Sequence, residues 1–218
     1  PLWVNALIEN FSWQMAWQFL AVGLLIFSLI VLQFYKNKPE EHGLHPDGTM
    51  SKLGFDCSKL RDAIPGTEEL INNARLKGIP IIFTQYVYQQ DFKDGGWLVD
   101  EISPELKKIE LCVKGSWDAD NYESVYPQNN EAVIEKNRPS AFISTQLESF
   151  LYSMSIENIF VCGVTANMCV ETTVRDACQR DFRVFVAKDA IAEVDDDRMK
   201  VALMAMEYFF AKVNKIFN

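Results

Sequence analysis

Apolar and polar positions along most of this chain form blocks that have the lengths of short strands and medium-length helices. Short apolar runs predict buried strands, whereas apolar residues at helical spacing predict helices. The strands are predicted at residues 79–87, 132–135, 158–164 and 182–187, and the helices at residues 67–77, 144–153, 167–180 and 195–212. Because strands and helices alternate, we predict an α/β fold with a mostly parallel sheet that helices cover on both faces.

One connection, residues 89–130, is long, polar and rich in aromatic residues, which predicts a lid or a binding loop. The aromatic residues that could wall a substrate pocket are Tyr88, Trp97, Trp117 and Phe142. Large aromatic side chains also fill cores, so packing in the lid and the core is an equally good interpretation of these four.

The last predicted helix is apolar on more than one stripe. Val201, Met204 and Tyr208 lie on one stripe, and Leu203 and Met206 extend the apolar surface beyond it. A helix with so wide an apolar surface is expected to pack on the sheet and also on a partner subunit. We therefore predict a homo-oligomer.

Residues 1–40 differ from the rest of the chain, because residues 19–32 are apolar except for Gly23 and Ser28. A membrane span needs about 20 apolar residues. Tryptophans before this run and lysines after it resemble interfacial anchors, so residues 16–34 allow a membrane tether. We favour a buried strand with an apolar lead-in helix, since the run is at the short end of spanning length.

Composition excludes several classes of function. The net charge of −9 argues against a nucleic-acid partner, because phosphates need a basic surface. The five cysteines include no C-x-x-C pair, and the two histidines are too few for a multi-histidine metal centre. We expect free thiols in a reducing compartment, hence a cytoplasmic protein, and no metal or other cofactor.

Cys169 lies in the first turn of a predicted helix, shortly after a predicted core strand that ends at Val164. The free N–H groups and the positive dipole end of a helix N-terminus favour an anion such as a thiolate. Ligands of parallel sheets bind beyond the carboxyl ends of the strands. We therefore interpret Cys169 as a nucleophile, with a small buried core residue as the alternative.

A cysteine nucleophile needs a group that takes its proton or stabilises its thiolate. Lys136 follows the predicted strand at residues 132–135, so it also lies at the carboxyl end of a strand. Apolar neighbours could desolvate this lysine and shift its pKa. The residues alone leave an ordinary surface lysine as the alternative.

Two ordered motifs resemble those of the isochorismatase-like cysteine hydrolases. The first is Lys-Asn-Arg-Pro-Ser-Ala-Phe at residues 136–142, and the second, at residues 163–177, contains Gly-Val-Thr, then Cys169 and Arg-Asp-Ala. The resemblance extends over about residues 45–210. The Lys-Gly-Ser-Trp-Asp segment at residues 114–118 is most similar to ureidoacrylate amidohydrolases and related ureido- or carbamoyl-cleaving amidases.

The resemblance implies a three-layer α/β/α hydrolase domain over residues 41–218 and a Cys–Lys–Asp triad. Cys169 would attack a carbonyl carbon and Lys136 would stabilise the thiolate. Backbone N–H groups near a cis peptide bond before Thr165 would form the oxyanion hole, with Thr165 and Cys169 as candidates. The expected reaction is cleavage of a C–N bond in a small ureido, carbamoyl or amide substrate through a thioester-type intermediate.

The triad aspartate of these hydrolases has no visible counterpart in this chain. Ser28, Gln33 or Lys38 would occupy its position, depending on the alignment, and none of them is a carboxylate. Residues 1–40 are therefore a divergent segment: a first strand, a membrane anchor or an altered start. The alternative function is a catalytically impaired member that acts as an oligomeric or membrane-tethered binding protein, since losing a triad member costs several orders of magnitude in rate.

Overall fold

The computed structural model describes residues 48–215. The strands are β1 (Ile82–Tyr86), β2 (Ala132–Lys136), β3 (Asn158–Val164), β4 (Arg183–Ala192) and β5 (Lys212–Asn214). The α-helices are α1 (Ile64–Leu76), α2 (Glu105–Lys108), α3 (Leu147–Ser153), α4 (Glu171–Cys178) and α5 (Asp196–Phe209). Short 3-10 turns lie at Thr49–Leu53, Cys57–Ala63, Trp117–Ala119 and Glu123–Val125, and π-helical turns at Leu98–Ile102 and Ala166–Val170.

Every strand pair in this region is parallel. β1 pairs with β2, and β3 pairs with β4, which pairs in turn with β5. Helix α1 packs against β4, while α4 packs against both β4 and α5. The strands form a two-stranded and a three-stranded parallel sheet, and parallel strands flanked by helices are the predicted architecture. Lys136 at the end of β2 contacts Cys169 after β3, so the carboxyl ends of these two strands lie close together.

The main core joins the sheet to α3, α4 and α5. On α4 the buried residues Val174 and Ala177 are three apart, and on α5 Ala202 and Met206 are four apart, so each helix presents one apolar face. Val186 of β4 packs into the same cluster. A second, smaller cluster of Tyr88, Phe92 and Val99 is formed at the start of the long connection after β1.

The pattern of the sequence misplaced the ends of β4 and α5. Residues Lys188 and Asp189 are polar, so the prediction ended this strand at residue 187, but β4 continues to Ala192 because β3 continues to pair with it beyond a register shift. The predicted helix at residues 195–212 ends at Phe209, and Lys212–Asn214 forms β5 instead. Both differences arise from pairing with strands that are distant in sequence, which local periodicity does not report.

Several predictions concern residues outside the described part. These are the divergent segment at residues 1–40, the membrane tether at residues 16–34, and Ser28, Gln33 and Lys38 as counterparts of the triad aspartate. Within residues 48–215, no helix has the length and the hydropathy needed to cross a membrane.

Helix α1 approaches β4 so closely that one position in its first turn requires glycine. A Cβ atom at Gly66 would lie 2.0 Å from the carbonyl oxygen of Asp189, which is backbone and unable to rotate away. We predict that Gly66→Ala lowers the free energy of unfolding by about 3 kcal/mol, the upper range for overpacked sites. Denaturant unfolding measures this loss.

Gly54→Ala is the matched control. Gly54 has a φ of +82°, but a Cβ atom there would meet nothing within 4 Å. The backbone strain alone should cost about 1 kcal/mol. Equal losses for the two variants would contradict the close approach of α1 to β4.

Candidate active site

Lys136 and Cys169 are in direct contact. Lys136 is the last residue of β2, and Cys169 lies in the π-helical turn that follows β3. The ammonium Nζ of Lys136 donates a hydrogen bond to the Sγ of Cys169 over 3.3 Å. Only 6% of Lys136 is exposed, so this pair is shielded from solvent on the lysine side.

The remaining contacts of Lys136 compensate for its burial. Its Nζ also donates to the carbonyl oxygens of Arg138 at 3.0 Å and Pro139 at 2.9 Å, so its three N–H groups have three acceptors. The ring of Tyr86 lies 4.3 Å from Nζ and adds a cation–π contact. Burial lowers the pKa of Lys136 below its usual 10.5, and the neighbouring Cys169 opposes that shift.

No carboxylate in residues 48–215 accepts a hydrogen bond from Lys136 or forms an ion pair with it. The carboxylate of Asp118 is engaged elsewhere, because its oxygens accept the backbone N–H groups of Thr49 and Cys112. The described part of the chain therefore presents a Cys–Lys dyad.

The turn that carries Cys169 has an unusual backbone. The peptide bond between Val164 and Thr165 is cis, as the resemblance implied. The carbonyl oxygen of Thr165 accepts the N–H groups of Met168 and Val170, which closes the π-helical turn at Ala166–Val170. The sequence predicted a simple helix start at residue 167, because a π-helical turn has no separate signal in apolar spacing.

Sequence reasoning missed Glu193, which supports this turn. Its side chain follows β4 directly and is only 5% exposed. One carboxylate oxygen accepts the N–H of Asn167, and the other accepts the N–H of Val194, each over 3.0 Å. A buried carboxylate thus fixes the first residues of the turn; among the many acidic residues at 189–197, nothing in the sequence distinguished it.

The two sequence motifs are also joined to each other. The N–H of Ala141, in the motif that begins with Lys136, donates to the Oγ1 of Thr173 in α4 over 3.0 Å. Because α4 continues directly from the turn that carries Cys169, this bond holds the two motifs in register.

The predicted aromatic pocket residues do not form one cluster. Tyr88 is fully buried, and its hydroxyl lies 2.9 Å from that of Tyr86, the ring that covers Lys136. Phe142 packs in the main core against Phe182 rather than on an open wall. Trp97 is 73% exposed, and Trp117 is half-buried beside Gly48. Sequence reasoning did not identify Tyr86 as a neighbour of Lys136, because a position in a strand does not show which side chain its ring will contact.

Within residues 48–215, no three histidine, cysteine, aspartate or glutamate side chains come together as a candidate metal site.

The fold and the dyad define the class to which the protein belongs. A model of the isochorismatase domain family matches residues 48–216. The chain therefore belongs to the isochorismatase family, which confirms the resemblance that its two motifs predicted.

The names of two relatives indicate which class of hydrolase this is. The chain is 29% identical to ureidoacrylate amidohydrolase RutB of Azorhizobium caulinodans over 78% of its own length and 81% of the relative's. It is 31% identical to the RutB of Pantoea ananatis over 78% of its own length and 72% of the relative's. These names confirm the prediction of a hydrolase that acts on non-peptide C–N bonds.

The fold agrees with a solved structure. A cysteine hydrolase from Pseudomonas syringae superposes with a TM-score of 0.68 at 26% identity, covering 72% of this chain and 78% of that one. The likeness confirms the predicted three-layer α/β/α fold.

The Lys136 contact predicts the reactivity of Cys169 without any substrate. Lys136→Met should slow alkylation of Cys169 by iodoacetamide about tenfold at neutral pH, because the thiolate loses its nearest cation. Mass spectrometry of the labelled peptide measures the rate for this cysteine alone. Lys114→Met is the control, since Lys114 is exposed and pairs with Glu135; equal slowing by both variants would contradict a specific role of Lys136.

Proposed function

We propose that this protein is a cysteine-dependent amidohydrolase that cleaves a C–N bond in a small ureido, carbamoyl or amide compound. The observation that carries the proposal is the 3.3 Å contact between the Nζ of Lys136 and the Sγ of Cys169 at the carboxyl edge of the sheet. The relatives named as ureidoacrylate amidohydrolases support the ureido class.

Cys169 acts first as the nucleophile. Its thiolate attacks the carbonyl carbon of the substrate and forms a tetrahedral intermediate. The C–N bond then breaks, ammonia leaves, and the carbonyl carbon remains bound to sulfur as a thioester. Water attacks this thioester, and collapse of the second tetrahedral intermediate breaks the C–S bond, releases the acid or carbamate product and restores the thiolate.

Lys136 supplies charge and a proton at this centre. Its ammonium stabilises the thiolate, and it donates a proton to the leaving nitrogen as the C–N bond breaks. Its neutral amine then accepts a proton from the attacking water. A lysine whose pKa burial lowers is suited to this exchange, because a catalytic group works best with a pKa nearer to the operating pH.

Backbone N–H groups of the turn stabilise the intermediate. We assign the oxyanion hole to the N–H groups of Thr165, which directly precedes the π-helical turn, and of Cys169, which lies within it. Such donors contribute about 3 kcal/mol when they point at the developing oxyanion. The hydrogen bond from the N–H of Asn167 to Glu193 holds the backbone between Thr165 and Cys169, which supports the assignment.

The test is ammonia release from a panel of ureido, carbamoyl and amide compounds. We predict that Cys169→Ser lowers kcat/KM at least about a thousandfold on any compound that the wild type cleaves, since the hydroxyl is a far weaker nucleophile. Cys178→Ser is the matched control, because Cys178 lies at the end of α4, away from the dyad.

Two outcomes of the ammonia-release test would contradict the proposal in different ways. Equal turnover by the wild type and Cys169→Ser would remove Cys169 from the mechanism. An intact fold with no ammonia release from any compound would instead favour the alternative, a member of the family that binds its ligand without cleaving it.

We also propose that the protein forms homo-oligomers through α5. The side chains of Val201, Met204, Tyr208 and Phe209 are all at least 62% exposed, although three of them repeat at the spacing of one helical face. Contiguous apolar surface of this kind is typical of interaction sites.

A charged substitution on the exposed apolar face of α5 tests the self-association. Met204→Glu should convert the oligomer into a monomer, because a buried carboxylate without a partner is strongly disfavoured at an interface. Sedimentation velocity measures the change. Lys200→Glu, on an already polar position of α5, should leave the oligomer intact; an unchanged oligomer in Met204→Glu would exclude this surface.

We also propose that the protein is cytoplasmic. Cys112, Cys162, Cys169 and Cys178 form no disulfide, which suits a reducing compartment. Recovery of the protein from a membrane fraction would instead favour a tether through residues 16–34.

A further inference from the structure

The guanidinium of Arg138 has most of its hydrogen-bonding capacity unused. Its Nη1 donates to the carbonyl oxygens of Asp94 at 2.9 Å and Asn137 at 2.7 Å. A guanidinium has five N–H groups. Those on Nε and Nη2 have no acceptor among residues 48–215, so one edge of this half-buried cation is available to a ligand.

This cation lies beside the dyad. Arg138 follows Lys136 by two residues, and its carbonyl oxygen accepts a hydrogen bond from the Lys136 ammonium. Its positive charge also reaches the hydroxyls of Tyr86 and Tyr88, where it acts to lower the pKa of both phenols against the larger effect of burial. Tyr86 is the ring that covers the Lys136 ammonium, so the guanidinium and the dyad share one set of neighbours.

No carboxylate of the described residues neutralises Arg138 by an ion pair. The nearest acidic side chain in its hydrogen-bond network is Asp94, whose oxygens accept the N–H of Gln89 and the amide of Asn137. Gly96 passes next to the free edge, since a Cβ atom there would lie 2.9 Å from Nη2. A side chain at that position would cover the edge, and glycine leaves it open.

We propose that Arg138 binds a carboxylate of the substrate, so that the site selects ureido or carbamoyl acids over their neutral analogues. This inference rests on the proposed function. A guanidinium recognises a carboxylate through two parallel N–H donors, and the Nε and Nη2 groups form such a pair. Arg138 is thereby a specificity-determining residue, and its carbonyl oxygen serves the dyad.

The experiment measures binding without turnover. In the Cys169→Ala protein, isothermal titration calorimetry compares 3-ureidopropionate with its methyl ester, which has the same ureido group but no charge. We expect the acid to bind at least about tenfold more tightly than the ester, as charge-assisted hydrogen bonds require. Arg138→Met in the same background should abolish this preference, and Arg138→Lys should restore part of it.

Arg183→Met is the matched control. Arg183 is exposed at the amino end of β4 and pairs with Glu157, so its loss should leave the preference for the acid unchanged. Circular dichroism confirms that each variant is folded before titration, and Arg138→Lys provides the comparison if Arg138→Met does not fold.

Two results would overturn the inference. One is equal affinity of the Cys169→Ala protein for acid and ester, including no affinity for either. The other is a preference that survives Arg138→Met or that is lost equally in Arg183→Met. Failure of the proposed function is seen separately, as absent or Cys169-independent ammonia release by the protein with Arg138 intact.

Discussion

The site depends on a buried ammonium. Removing a lysine from water is costly unless each of its donors finds an acceptor, and Lys136 meets this condition with two backbone carbonyl oxygens and the thiol of Cys169. The Cys169 thiol therefore lowers the free-energy cost of burying the Lys136 ammonium. Any arrangement that separated β2 from the turn after β3 would leave one N–H of the ammonium without this acceptor.

The surrounding structure keeps this contact in place from both sides. The bond from Ala141 to Thr173 joins the segment after β2 to helix α4, and Glu193 fixes the turn from the end of β4. Both bonds are at least partly buried, where an unsatisfied N–H would cost about 1–3 kcal/mol. The geometry of the dyad therefore depends on the ends of β2, β3 and β4 and not on the two side chains alone.

The polar groups around the dyad contact its two members separately. Backbone carbonyl oxygens and the Tyr86 ring stabilise the ammonium, and the turn presents its N–H groups beside the thiol. Within residues 48–215, carboxylates contribute through backbone N–H groups, as Glu193 and Asp118 do, and not by pairing with Lys136. This arrangement keeps carboxylate charge away from the centre at which the proposed mechanism forms a thiolate and an oxyanion.

The fold class, strand β3 and the pair of Lys136 and Cys169 were predictable from the sequence, the pair through the resemblance of its two motifs. Strand β3 has the predicted bounds, because an apolar run between polar residues is a local signal. The extension of β4, strand β5, the π-helical turn, and the contacts of Tyr86, Glu193 and Arg138 become visible only in the folded protein. These features depend on partners that are distant along the chain, and neither periodicity nor residue type reports which side chains a sheet will bring together.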